Sequence, residues 1–163
     1  MISRRIIRVK VMQTLYSLDT MEGSANPGEP VRLLNKHFDQ TRQLLAYTLF
    51  FLTEVLRYAE TDARNRASKH LPSAEDLAVN TKLAGNTLLW KMLEDKSLQS
   101  VITDDKLSRY LDKELVRKIY LELQQSDIYK TYIQQESRDP KNEKAIVEYI
   151  YTNGMIGNEI FTS

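Results

Sequence analysis

Ser3-Arg4-Arg5-Ile6-Ile7-Arg8-Val9-Lys10-Val11-Met12-Gln13-Thr14-Leu15-Tyr16-Ser17-Leu18 is the stretch from which the rest of the chain is read. It holds four basic residues, and no acidic one precedes Asp19. Its spacing predicts a helix. Ser3 is placed to cap it by accepting an otherwise unpaired backbone N–H. Ile7, Val11, Leu15 and Leu18 share one face with Thr14 beside them, and Val9, Met12 and Tyr16 make a second apolar stripe. A helix with two stripes is expected to be buried on much of its surface. Its charges are unusually placed. A helix N-terminus already carries partial positive charge, so Arg4, Arg5 and Arg8 cost about a few tenths of a kcal/mol there. An anionic partner relieves that cost, and helix N-termini bind phosphate well. Charge alone would also describe a plain solvated helix end.

Composition bounds the remainder. The chain has 163 residues, enough for one domain with a real core or two small helical units. There are 23 basic and 22 acidic residues, a net charge of +1, so any footprint for nucleic acid must be local. There is no cysteine, which removes disulfides and thiolate metal sites and fits a cytoplasmic location. The two histidines, His37 and His70, are too few for a histidine zinc site and read as surface residues. No cysteine–histidine pair, glycine-rich phosphate loop or Gly-x-Ser-x-Gly sequence is present. Hydrolysis by Asp and Glu alone stays open, since its residues need not be close in the chain; the expectation is a protein that is not an enzyme and needs no metal or cofactor.

The chain reads as all-α, a multi-helix bundle with no strand alternation. Asp19 to Pro30 reads as a loop, with Gly23, Ser24, Asn26, Pro27, Gly28 and Pro30 as breakers. Val31 to Phe38 reads as a short helix with Val31, Leu34 and Phe38 inward, followed by a new start at Asp39 or Thr41. A single helix running through is the competing reading. From Arg42 to Glu54 there is no charge, and this is the expected hydrophobic centre. Leu45, Leu49, Leu52, Leu56 and Ala59 form one stripe, and Leu44, Tyr47, Phe51, Val55 and Tyr58 another. The first helix is their natural partner. The run is too short for a membrane span, which needs about 20 apolar residues. Past Tyr58 the helix turns polar, and Arg64, Arg66 and Lys69 interleave with Glu60 and Asp62 as on a solvated face.

Pro72 is the expected boundary between regions 1–72 and 73–163. Ser73-Ala74-Glu75-Asp76 has the form of a capping box. Asn80 to Gly85 reads as loose. Asn86 is placed to cap a helix from Thr87 to Leu93, with Leu89, Trp90 and Leu93 inward and Trp90 as a core anchor. Lys96 to Asp105 reads as irregular or frayed. Asp112 is expected to cap Lys113 to Gln124, with Leu115, Val116, Ile119, Tyr120 and Leu123 inward. Ser126 caps the next piece, with Ile128, Tyr129, Tyr132 and Ile133 inward. Asp139-Pro140 restarts a helix that Gly154 is expected to stop after Asn153.

Arg4-Arg5-x-x-Arg8-x-x-x-x-Gln13-x-Leu15-Tyr16-Ser17 resembles the opening helix of the NusB family of bacterial transcription antitermination factors. There an arginine-rich start runs into Gln-x-Leu-Tyr in the same register. The segment Gln125-Ser126-Asp127-Ile128-Tyr129-Lys130-x-Tyr132 suggests a long variant with added helical sequence. The resemblance covers about the first 70 residues well and the rest weakly.

It implies a three-helix N-terminal unit followed by additional short helices. It also implies a non-catalytic scaffold that binds single-stranded boxA-like RNA together with NusE, a ribosomal small-subunit protein. Through these it would act indirectly on the RNA polymerase elongation complex. Arg4, Arg5 and Arg8 would contact RNA, with Lys10 weaker, and Gln13 and Tyr16 would lie on a partner or RNA surface. Tyr16 is equally readable as a core tyrosine. The end of the chain reads as leading toward a further helical bundle, so the chain is expected to be the N-terminal part of a longer protein. The alternative function is a helical module that binds protein only, including a second copy as a homodimer. Its support is the surplus of apolar faces and nine tyrosines.

Overall fold

A computed structural model describes residues 3–21, 23 and 26–162. Ser24, expected in the first loop, lies outside the described residues. Among the described residues the chain is all-α, with nine α-helices and no strand. It divides into two compact units, residues 1–46 and 47–163.

The first unit contains α1 (Arg4–Asp19) and the beginning of α2 (Glu29–Ala67). α2 is one unbroken 39-residue helix, so the through-running alternative holds and the break before Asp39 does not form. Where three helices were expected over this region there are two. Glu29 and Pro30 belong to the helix and not to the loop, since proline is tolerated in a first turn. Thr41 does not cap a new helix; its Oγ1 donates back to the His37 carbonyl at 2.9 Å, as a residue inside a helix does. Burial corrects the first helix as well. Thr14 is the one buried residue of α1, while Ile7, Val11, Leu15, Met12 and Tyr16 are all exposed. Val31, Leu44 and Leu45 of α2 are exposed too. The unit offers each helix one helical neighbour, and one neighbour covers a single narrow strip of a two-striped helix.

The second unit is built on residues 47–67 of α2. Phe51, Leu52, Val55, Leu56 and Ala59 are all nearly or fully buried there. Each large side chain among them contributes about 2 kcal/mol of burial. Around them come α3 (Ala74–Leu77), a 3₁₀ turn at Lys82–Gly85, α4 (Thr87–Glu94), α5 (Lys96–Asp104) and a second 3₁₀ turn at Leu107–Tyr110. α6 (Lys113–Gln125), α7 (Asp127–Gln134) and α8 (Pro140–Tyr149) follow, then a π-helical segment at Ile150–Ile156 and α9 (Glu159–Thr162). The expected inward stripe of α6 is buried in full, as are Tyr129 and Tyr132 of α7. Burial lifts the Tyr120 and Tyr132 hydroxyls far above the ordinary tyrosine range. The caps fall as their chemistry dictates. Asn86, Asp112, Ser126 and Asp139 each accept from the first turn of the helix they open. Ser73 and Asp76 form a reciprocal capping box on α3.

Four expectations fail in this unit. Lys82–Gly85, expected to be loose, is a 3₁₀ turn that buries Leu83 and Ala84. Lys96–Asp104 is a regular helix, because Asp95 accepts from Leu98 N–H at 2.8 Å and Leu98 is buried. Trp90 is 51% exposed, and Leu89 is the anchor of α4. Gly154 stops nothing; it lies inside the π-helical segment. A Cβ at Gly154 would lie 2.8 Å from Ile119 Cγ2, so glycine is there for close approach to α6. α9 brings Phe161 edge-on to Phe51, with ring centroids 4.9 Å apart.

A polar cluster ties α4, α7 and α8 together. Glu143, 1% exposed, accepts from Thr87 N–H at 2.6 Å, the Tyr132 hydroxyl at 2.7 Å and Arg138 at 3.0 Å. Asn86 Nδ2 donates to the Glu143 carbonyl at 3.0 Å. Lys82 Nζ spends its three donors on the carbonyls of Tyr132, Gln135 and Ser137 around the end of α7, where a cation suits the helix dipole.

Candidate nucleic-acid interface

All six residues singled out in the sequence, Arg4, Arg5, Arg8, Lys10, Gln13 and Tyr16, lie on α1. The helix starts where Ser3 places it: Ser3 Oγ accepts from Ile6 N–H at 3.3 Å. No acidic residue stands in its first turn. Among the described residues, no ion pair engages Arg4, Arg5 or Arg8. All three are exposed. Their charge therefore adds to the positive end of the helix dipole, which makes this end attractive to phosphate oxygens.

The helix period sorts the six residues. At about 100° per residue, Arg5, Met12 and Tyr16 point away from the side that carries Thr14. Arg8 and Arg4 lie to one side of them, about 60° and 100° round from Arg5. Tyr16 is 72% exposed, which decides against the core reading of this tyrosine. Arg5 and Tyr16 are about 16 Å apart along the axis, the reach of a few nucleotides of single strand. Lys10 and Gln13 sit on another part of the helix. Lys10 is half-buried and donates to Gln13 Oε1 at 3.1 Å, so these two are already joined to each other.

The sequence did not reveal the contact that holds this helix. Thr14 Oγ1 donates to the Lys10 carbonyl at 2.8 Å and lies 3.0 Å from His37 Nδ1 on α2. A hydroxyl has one hydrogen. With it on the carbonyl, Nδ1 of His37 donates; with it turned to His37, Nδ1 accepts. His37 is thus a half-buried link between helices and not a plain surface residue. The available signal was Thr14 lying beside an apolar stripe, where a lone polar group needs a partner.

Elsewhere the strongly placed ionisable groups serve the architecture. Asp76 is held at about 2, first by the hydrogen bond from Lys69 and then by the Ser73 N–H. Arg66 pairs with Asp62 at 3.0 Å. A mixed cleft is lined by Glu54, Arg57, Tyr58, Arg64, Leu111 and Val116, with Arg57 and Glu54 3.6 Å apart. Among the described residues no group of three or more acidic or histidine side chains is gathered as a metal site would need. No helix among them is long and apolar enough to cross a membrane. Comparison of the chain with known protein families, characterised proteins and solved structures gives no match.

Proposed function

We propose that the protein is a non-catalytic RNA-binding factor of NusB type, acting in transcription antitermination on boxA-like single-stranded RNA together with NusE. The observation that carries this reading is the start of α1. It presents three exposed, acid-free arginines at a positive helix end, and one of them, Arg5, is in line with an exposed tyrosine that offers a base a flat surface. On this reading Arg4, Arg5 and Arg8 hold phosphates, Lys10 adds a weaker charge, and Gln13 and Tyr16 border the RNA or NusE. A NusB-like N-terminal unit followed by additional short helices, and bacterial cytoplasm as the setting, belong to the same proposal.

The test is fluorescence anisotropy with a boxA-like RNA and a scrambled control, with and without NusE, across a salt series. Three phosphate contacts to a single strand give a log–log salt slope of about −2, a loss of about twenty-fold between 50 and 200 mM. An Arg4/Arg5/Arg8→Ala variant should lose that slope while keeping its fold. RNA that is ignored at low salt with NusE present would remove the proposal.

A second reading has an observation of its own. Met12, Leu15, Tyr16, Val31, Leu44 and Leu45 are each more than half exposed, all within the first unit. That much apolar surface also suits a helical module that binds protein only. Apolar association responds little to salt, so the same titration separates the two.

A further inference from the structure

The second unit carries a cleft of about 330 Å³ between residues 54–64 of α2 and residues 111–116, which lead into α6. That is the small end of the range for ligand pockets, about 300–1,000 Å³. Part of its lining is apolar: Tyr58, Leu111 and Val116. Tyr58 is braced by the Tyr120 ring, with centroids 5.0 Å apart. The rest is charged. Arg57, Arg64 and Lys113 bring three cations, and Glu54 and Glu60 bring two carboxylates. Glu54 is spent on Arg57, at 3.6 Å. Among the described residues Arg64, Lys113 and Glu60 are in no ion pair. Three cations against two carboxylates leave one positive charge unmatched in the lining. Arg57 and Arg64 are two turns apart on α2, about 10 Å along the axis and about 20° round it. Thr61 lies between them on the same face and is exposed.

We propose that this cleft binds a small organic carboxylate with an apolar body. The carboxylate lies against Arg64 and Lys113 and supplies the one negative charge the lining lacks. The apolar body covers Tyr58, Leu111 and Val116. A dianion such as a phosphate monoester brings a second charge that Glu54 and Glu60 repel, so the cleft selects the single charge. The walls stand on two long helices, and Val116 and Tyr120 of α6 are buried, so the cleft is formed before a ligand arrives. It lies wholly in the second unit, apart from the arginines of α1. Its test does not depend on whether RNA binds.

The probe is 4-phenylbutyrate, titrated into the nitrogen-15-labelled full chain and followed by amide NMR. Amides of residues 57–64 and 111–116 should shift together, with a Kd of about 1 mM or tighter. The uncharged 4-phenylbutanol and the cationic 4-phenylbutylamine should each bind about ten-fold more weakly or worse. Phenyl phosphate should bind more weakly than the carboxylate. Arg64→Gln and Lys113→Gln should each weaken 4-phenylbutyrate about five-fold or more. Thr61→Glu sets a carboxylate one turn from both Arg57 and Arg64 and should abolish binding. Lys144→Gln, an equal loss of charge at an exposed position on α8, should bind as the native chain does. All these positions are exposed, and far-UV circular dichroism checks that each variant keeps its helices. The proposal is overturned by a native chain that shows no shifts up to about 10 mM 4-phenylbutyrate, by shifts confined to residues outside the cleft, by phenyl phosphate binding more tightly than the carboxylate, or by Arg64→Gln, Lys113→Gln and Thr61→Glu binding as the native chain does.

Discussion

Replacing Glu143 by Gln tests the central structural claim about the second unit. Glu143 is nearly fully buried, and its two carboxylate oxygens accept three hydrogen bonds, from the Thr87 backbone, Tyr132 and Arg138. Glutamine keeps the volume and one acceptor. Its amide nitrogen must face either the Thr87 N–H or the Tyr132/Arg138 pair, so at least one donor loses its acceptor. A hydrogen bond to a charged group contributes about 1.5–3 kcal/mol, and an unpaired buried donor costs about 1–3 kcal/mol more. The arginine also loses its counter-charge, although it is partly solvated. We expect a loss of about 3 kcal/mol in urea unfolding at pH 7, followed by far-UV circular dichroism and by Trp90 fluorescence. The pH dependence gives a second readout. Burial alone would raise the Glu143 carboxyl, but the bonds from Thr87, Tyr132 and Arg138 outweigh burial and hold it below the ordinary range. A carboxyl depressed in the folded state stabilises above its unfolded value, about 4.3, and that stabilisation fades as pH falls through the folded value. The gap between native and Glu143→Gln should therefore close in acid. A loss below about 1 kcal/mol at pH 7, or a gap that stays constant down to pH 2, would refute the reasoning.

Four further outcomes are expected. Gly154→Ala should destabilise the chain by about 1–2 kcal/mol in the same urea assay, since the methyl meets Ile119 Cγ2 at 2.8 Å and overpacking outweighs the helix-propensity gain; the loss should shrink when Ile119 is also alanine. Arg4/Arg5/Arg8→Ala should leave unfolding free energy unchanged or raised by about a few tenths of a kcal/mol, because these cations crowd a positive helix end. The neutral His37 ring should carry its proton on Nδ1 by nitrogen NMR if the Thr14 hydroxyl keeps its bond to the Lys10 carbonyl; a proton on Nε2 alone would mean that the hydroxyl donates to Nδ1 instead. The Asp76 carboxyl should titrate at about 2 by carbon NMR, with its contribution present at neutral pH and lost as pH falls toward that value, and Lys69→Met should raise the midpoint.

What the sequence disclosed and what it hid divide along one physical line. Caps were legible because they are local: Ser3, Ser73, Asn86, Asp112, Ser126 and Asp139 each satisfy a backbone donor two or three residues ahead. The stripe of α6 was legible because the second unit surrounds it with partners. Burial elsewhere was not local. The two stripes of α1 have ordinary helical period, yet period states which residues share a face and not whether anything covers it; with one helical neighbour, only Thr14 is enclosed. Trp90 and Leu89 are adjacent on α4, and nothing in their spacing told which would take the core. Gly154 had the composition of a stop, but its role is set by Ile119, 35 residues away in sequence. The candidate interface shows the same division. The charges, the cap and the register of Arg4, Arg5, Arg8 and Tyr16 were readable in one turn-by-turn pass. The Thr14–His37 contact that anchors the helix joins two elements, so it required the fold. Exposure of α1 is the consequence that matters most, because a helix enclosed on both stripes could offer only its N-terminal arginines. An open one also offers Met12, Leu15 and Tyr16, and so gives RNA or a protein partner a surface with both charge and apolar area.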